Sequence, residues 1–192
     1  SGLFSVISQI IQITPGAPSA ITLENKNSLQ STVVAGVGLS TAPVLWVRDA
    51  AGNHITTDNI TTARASLIKD ATGANSTITT SANVAAVNGV ITLSGLNFVT
   101  TPATDFLIRF TRTNGSTAVG VAVDSNALTI KHAAANRLEF VTQPSGARSG
   151  IALTTQPVLK VVDQYGYTVL DDDTVRVKAE LVNAANTDIF TA

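Results

Sequence analysis

The sequence predicts an all-β protein made of antiparallel β-sandwich domains in tandem. Three observations predict this fold: short alternating apolar runs separated by Gly- and Asn-containing turns, the lack of a sustained helical apolar period, and one segment that occurs twice. Alternation of apolar and polar residues is typical of half-buried strands. Many short strands at regular spacing favour a sandwich over a parallel sheet.

The repeated segment is a strand followed by a turn. Residues 42–55 read APVLWVRDAAGNHI and residues 156–169 read QPVLKVVDQYGYTV, at a constant offset of 114. Each apolar run ends in Asp-x-x-Gly, beginning at Asp49 and at Asp163. Such an Asp accepts hydrogen bonds from the turn that it opens, and Gly supplies the positive φ that closes it. A long repeat of this kind predicts tandem domains.

A second match sets the expected domain boundaries. Residues 8–13 (SQIIQI) match residues 125–130 (SNALTI) at an offset of 117, so the first copy carries three extra residues. The predicted order is the last strand of a preceding domain (1–14), a linker (15–18), a complete domain (19–131) and the first half of a second domain (132–192).

Nine strands are predicted within the complete domain. They lie near residues 20–24, 31–35, 43–49, 62–69, 76–80, 89–93, 105–112, 117–123 and 127–131. Asn88-Gly89 and Asn114-Gly115 lie between alternating runs, which is a strong local signal for a hairpin. Residues 81–87 are expected to form one helical turn at most.

Taken together, the motifs resemble a known family. The second copy carries Gln-Pro-Ser-Gly-Ala, a Pro-Val strand and Asp-x-x-Gly, and the first copy continues with Asn-Gly-Val and its closing strands. Over residues 8–192 this combination resembles the bacterial Ig-like tandem repeats of very large surface and secreted proteins. Residues 24–34 depart from the pattern by replacing the Gln-Pro-Ser-Gly-Ala turn, and Tyr167 stands where the family usually has Asn.

The resemblance implies an extended rod of Ig-like domains outside a bacterial cell. A rod of this kind serves as a stalk, adhesin, filament or surface layer. The resemblance implies no catalytic residues.

Composition argues against several other classes of protein. The chain has 12 Lys and Arg against 13 Asp and Glu, which predicts no basic face for nucleic acid. It has no Cys and two isolated His, so we expect neither a thiol nucleophile nor a typical zinc site. Residues 3–13 are apolar but short and interrupted by polar residues, so no membrane insertion is expected.

Calcium is the one cofactor that the sequence leaves open. Asp171, Asp172 and Asp173 form an acidic cluster with Asp163 nearby, and Ca²⁺ prefers carboxylate and carbonyl oxygens. Only Asp172 has an acidic counterpart in the first copy, Asp58, and the spacing of a known calcium loop is missing. A solvated turn is therefore the favoured interpretation.

The candidate interface residues are Trp46 and four apolar residues near the start of the chain, namely Leu3, Val6, Ile11 and Ile13. Trp46 is the single Trp, and alternation places it opposite Leu45 and Val47. A partly exposed aromatic ring can anchor a neighbouring chain or a sugar. The alternative is a position under a loop or at a domain joint.

Residues 3–13 are predicted to form a strand whose own domain is absent. Unpaired strand edges recruit strands from other chains, so this strand could complete the half-domain of the next subunit, head to tail. The alternative, which the sequence favours, is that the chain is a piece of a longer rod.

The sequence therefore predicts a non-catalytic structural or assembly segment of an extracellular filament or surface layer, joined to copies of itself. The alternative is an adhesin or carbohydrate-binding module of a larger protein. That module would contact a glycan or host surface through Trp46 or through residues 24–34.

Overall fold

The computed structural model describes residues 9–69 and 76–180, and of residues 76–80 it describes the backbone alone. Over these residues the chain is all-β, with thirteen strands and no α-helix. The chain divides into two compact units between Ala133 and Ala134.

The first unit contains eleven strands and a short 3₁₀ helix, Lys26–Ser28. The strands are β1 (Ala20–Leu23), β2 (Thr32–Val34), β3 (Val44–Arg48), β4 (Thr62–Lys69), β5 (Ser76–Thr80), β6 (Val84–Ala85), β7 (Val90–Thr92), β8 (Ala103–Asn114), β9 (Thr117–Ala118), β10 (Val123–Asp124) and β11 (Leu128–Lys131). One sheet has the order β1-β3-β7 and the other the order β2-β11-β8-β4-β5. The short strands β6, β9 and β10 extend the second sheet, and β2 with β11 is its parallel pair.

Both sheets contribute to one hydrophobic core. Leu45 and Val47 of β3 are fully buried, and Trp46 between them is only partly buried. This confirms the alternation that the sequence predicted for β3. The second sheet contributes Phe106 and Phe110 of β8, which are also covered. Burying one such side chain stabilises the folded chain by about 1.5–3 kcal/mol.

Two strand predictions need correction. Residues 117–123 form two short strands, β9 and β10, because Gly120 between them has a φ of +74° and interrupts the extended backbone. Residues 84–85 form strand β6, which the sequence did not predict, and residues 81–87 contain no helical turn, which agrees with the limit of one turn. The β6 residues pair with β4, and the backbone N–H of Ala86 donates to the carbonyl of Thr61, so sheet pairing determines their conformation.

Both predicted Asn-Gly turns are present, but only the one at Asn114-Gly115 joins two paired strands of one sheet. Asn88 and Gly89 have φ values of 52° and 77°, and Val87 and Val90 exchange backbone hydrogen bonds of 2.8 and 3.0 Å around them. Two consecutive positive φ values identify a type I′ turn. This turn carries the chain from β6 in one sheet to β7 in the other. Gly115 has a φ of 59° in the hairpin that joins β8 to β9.

The second unit has two strands among its described residues, β12 (Ala135–Thr142) and β13 (Val158–Asp163), which pair antiparallel. Val162 is fully buried, but Leu138 and Phe140 of β12 are 42% and 52% exposed. This pair of strands therefore leaves apolar side chains in contact with solvent.

The strand expected over residues 3–13 lies partly outside the described residues. Where the chain is described, residues 9–13 form no strand, because no neighbouring strand pairs with them. Ile11 and Ile13 are 79% and 90% exposed, and Leu3 and Val6 lie outside the described residues.

Candidate functional site

Trp46 lies on the outer face of β3, stacked against a histidine. Its indole ring is 4.3 Å from the imidazole of His54 between centroids, with an interplanar angle of 8°. The turn after β3 brings His54 back opposite Arg48, with which it forms a β-bridge. Nε2 of His54 lies 3.1 Å from the carbonyl oxygen of Gly89. Because that oxygen can only accept, Nε2 is the donor, and the bond fixes the orientation of the ring.

Arg48 occupies the same face, two residues along the strand. Its guanidinium carbon is 5.2 Å from the centre of the Trp46 ring, within the range of a cation–π interaction. Its Nε donates to the hydroxyl of Thr22 at 2.7 Å and its Nη1 to the carbonyl of Gly52 at 2.9 Å. Its Nη2 donates to Oε1 of Glu24 at 3.0 Å. Four neighbouring groups therefore hold the guanidinium in place.

Glu24 provides the negative charge of this group. Partial burial raises the pKa of Glu24, but hydrogen bonds from the hydroxyl of Thr22 and from Arg48, together with the charge of Arg48, outweigh it. The net result is a pKa below the ordinary 4.5, so the carboxylate is ionised at neutral pH. We refer to Thr22, Glu24, Trp46, Arg48 and His54 as the outer-face cluster.

The outer-face cluster presents several kinds of side chain on one face of the sheet. It combines a partly exposed indole, an ordered guanidinium and an ionised carboxylate, and Trp and Arg are enriched where proteins bind one another. His54 stacks on the indole and the guanidinium of Arg48 also lies over it, so both side chains restrict how a partner could reach the ring.

The cluster is larger than the sequence indicated. The sequence singled out Trp46 but neither Arg48 nor His54. Arg48 could have been found from strand alternation, since positions two apart share a face. His54 could have been found from the Asp-x-x-Gly turn, which reverses the chain between Arg48 and His54.

The four calcium candidates are not brought together. Asp163 is fully buried, and its Oδ1 accepts the backbone N–H groups of Tyr165 and Tyr167 at 2.9 Å each. Oδ1 of Asp172 accepts the backbone N–H of Thr174 at 2.8 Å. Asp171 and Asp173 are exposed. Across residues 9–69 and 76–180, no three His, Cys, Asp or Glu side chains are grouped to hold a metal ion.

Among the described residues, no helix has the length and apolar character that crossing a bilayer requires.

Comparisons with known proteins identify no relative. No protein-family model, no curated protein and no solved structure matches the chain. The fold and the outer-face cluster are therefore the observations from which a function can be inferred.

Proposed function

We propose that the chain is a non-catalytic structural segment of an extracellular bacterial rod, filament or surface layer built from tandem Ig-like β-sandwich domains. The observation that carries this proposal is a shared strand register in the two units. Ile21 pairs with Val47 between β1 and β3, and Leu138 pairs with Val161 between β12 and β13. The offsets, 138 − 21 = 117 and 161 − 47 = 114, are those of the sequence repeat.

The turns that follow these strands support the same proposal. Oδ1 of Asp49 accepts the N–H groups two and four residues later at 2.9 Å each, and Oδ1 of Asp163 does the same at 2.9 Å. Gly52 and Gly166 have φ values of 86° and 85°. Equivalent strands followed by equivalent turns are expected of two copies of one kind of domain.

The order of strands in the first unit supports an Ig-like sandwich. An Ig-like domain has A, B and E in one sheet and C, F and G in the other. The neighbours β1-β3-β7 fit A-B-E, and β11-β8-β4 fit G-F-C. The side chains of both sheets join in one core cluster.

The exposed apolar side chains of β12 in the second unit are those expected of a domain that further strands complete. Ile21 is 2% exposed in the first unit, whereas its counterpart Leu138 is 42% exposed. Under the proposal, strands equivalent to β4 and β8 cover this face, either from a longer chain or from another copy of this chain.

The experiment is size-exclusion chromatography with light scattering on the 192-residue chain, comparing Leu138→Asp with Val121→Asp. Val121 is 85% exposed in the first unit and serves as the matched control. Masses well above 19.8 kDa that return to 19.8 kDa in Leu138→Asp alone would support joining of copies through the second unit. A monomer for all three proteins would contradict the joining of copies through the second unit.

The outer-face cluster favours a second candidate function, that of an adhesin or carbohydrate-binding module. A glycan array and a host-surface adhesion assay would test it. Loss of binding in Trp46→Ala, with the melting temperature unchanged, would favour a binding module. Loss of high-mass species in the same variant would instead favour the structural function.

A further inference from the structure

A surface cleft of the first unit shares no residue with the outer-face cluster. It measures about 320 Å³, at the small end of the range for ligand sites. Pro18, Ile60 and Val119 give it an apolar wall, and Arg112 of β8 provides a cation. A cleft of this size suits a small group rather than a large ligand.

Most of the hydrogen-bonding capacity of Arg112 is unused within the described residues. A guanidinium has five N–H donors, and here Nη1 makes one long hydrogen bond of 3.4 Å, to the carbonyl of Pro18. Its Nε is buried and has no hydrogen-bond partner in the described part of the chain. A buried donor without a partner is costly, but Nε is covered and is not the atom that a ligand in the cleft would meet. The Nη1 and Nη2 groups, which make only the long bond to Pro18 within the described residues, are the donors left for an acceptor there.

Arg109, three residues earlier on β8, has a guanidinium that is paired with a carboxylate and serves as a comparison for Arg112. Its Nε and Nη2 donate to the two carboxylate oxygens of Asp124 at 2.8 Å each. Such bidentate pairing is the preferred geometry between a guanidinium and a carboxylate. Arg112 lacks a carboxylate in this position.

Asp58 interacts electrostatically with Arg112 but makes its hydrogen bonds within its own loop. Oδ1 of Asp58 accepts the backbone N–H groups of Ile60 and Thr61 at 2.9 and 2.8 Å, and its Oδ2 accepts the hydroxyl of Thr61 at 2.7 Å. The loop therefore engages both oxygens of this carboxylate, which is 6% exposed. Its charge offsets part of the charge of Arg112 and limits the affinity for an anion, while its hydrogen bonds leave the Nη groups of Arg112 unused.

We propose that this cleft binds a carboxylate through the guanidinium of Arg112, with the apolar wall receiving the short carbon chain that bears it. The carboxylate belongs either to a free short-chain acid or to a Glu or Asp side chain on a neighbouring polypeptide. The planar fork of Arg112 supplies paired donors, and Pro18, Ile60 and Val119 supply apolar contact.

Nuclear magnetic resonance of the 192-residue chain tests this directly, because the Nε–H of an arginine gives its own signal. The probes are propionate against propionamide, and acetyl-Ala-Glu-Ala-amide against its Gln counterpart, all at constant ionic strength. We expect a saturable shift of the Arg112 signal with the carboxylates and none with the amides. Losing a charge-assisted hydrogen bond weakens binding by about tenfold or more, which is the expected effect of Arg112→Gln.

Arg109→Gln is the matched control and should leave binding unchanged. If Arg112→Gln does not fold, Arg112→Lys is the variant to use. It keeps the positive charge but lacks the paired N–H donors of a guanidinium, so its binding should also weaken. A response to propionate without one to the Glu peptide identifies a free acid, and a tighter response to the Glu peptide than to propionate identifies a neighbouring chain; both support the proposal. An unmoved Arg112 signal, equal shifts with sodium chloride, or unchanged binding in both Arg112 variants would overturn it.

Discussion

Oδ2 of Asp49 accepts the backbone N–H of Gly16 at 2.9 Å. Oδ1 of the same carboxylate accepts the N–H groups of Ala51 and Asn53 in the turn that follows β3. One side chain therefore organises its own turn and fixes the segment that enters β1.

We expect Asp49→Ala to lower the melting temperature and to free the segment at Gly16. The carboxylate that accepts the N–H of Gly16 and the N–H groups of Ala51 and Asn53 is lost in this variant. Asp49→Asn keeps one oxygen acceptor and should have the smaller effect. Thermal unfolding measures the first consequence, and hydrogen exchange at the Gly16 amide measures the second. A Gly16 amide that stays protected in Asp49→Ala would contradict this role.

Acid should destabilise the first unit between about pH 4 and pH 2. The hydrogen bond from the N–H of Gly16, followed by those from Asn53, lowers the pKa of Asp49 from 3.8 to about 2. Since the folded pKa lies below the unfolded one, the stabilisation is complete above the unfolded pKa and is lost as pH falls through the folded pKa. The pKa values of Glu24 and Asp58 are lowered in the same direction.

Melting temperatures measured from pH 7 to pH 2 test this expectation. The decline below pH 4 should be shallower in Asp49→Asn, which has no carboxylate to protonate. Parallel curves for the two proteins would show that Asp49 does not contribute to acid sensitivity.

Gly89→Ala should be far more damaging than Gly115→Ala. Both glycines have positive φ, but a Cβ on Gly89 would lie 2.1 Å from the carbonyl oxygen of Ile55, whereas one on Gly115 meets no atom within 4 Å. The left-handed conformation alone costs about 1–2 kcal/mol, which is the expected loss for Gly115→Ala. Gly89→Ala should lower the free energy of unfolding by more than about 4 kcal/mol or prevent folding, because the backbone at Ile55 must move to make room for the Cβ. Urea unfolding measures both, and similar losses would contradict the close approach to Ile55.

Phe110→Ala and Phe140→Ala should separate a packed core from an exposed strand. Phe110 is fully buried in the first unit, so its truncation should cost about 3–5 kcal/mol in the free energy of unfolding. Phe140 in β12 is 52% exposed, and its truncation should change stability by about 0.5 kcal/mol or less. Chemical unfolding of both variants checks the difference. A large loss in Phe140→Ala would mean that this face of β12 is covered in solution.

The sequence predicted the strands well because their signals are local. Alternation identified β3 and placed Leu45 and Val47 in the core, and the Asn-Gly pairs identified two tight turns, one of which closes a hairpin. Strand β6 was missed because two residues are too few to show a period. The break at Gly120 was missed because a single Gly within an alternating run is compatible with a strand, and only its positive φ ends the ladder.

The candidate sites were harder to predict because they depend on contacts between distant residues. The outer-face cluster joins Glu24 to Arg48, and the cleft joins Pro18 to Arg112. Periodicity can assign a residue to a face but cannot say which residue of another strand lies beside it. For the same reason, the hydrogen bonds left open on Arg112 carry no signal in the sequence.

The parallel pairing of β2 with β11 has a consequence for how the first unit responds to tension. The strand near its beginning and the strand at its end lie side by side, linked by backbone hydrogen bonds from Thr129 to Ser31 and from Ala35 to Lys131, both of 2.8 Å. Once β1 is drawn away from β3, a pull on the start of β2 and on the end of β11 acts to slide these two parallel strands past each other along their length. The force then acts on all the hydrogen bonds between the two strands at the same time, instead of breaking them one after another from one end. We therefore expect the unit to resist stretching more strongly than its equilibrium stability alone would suggest.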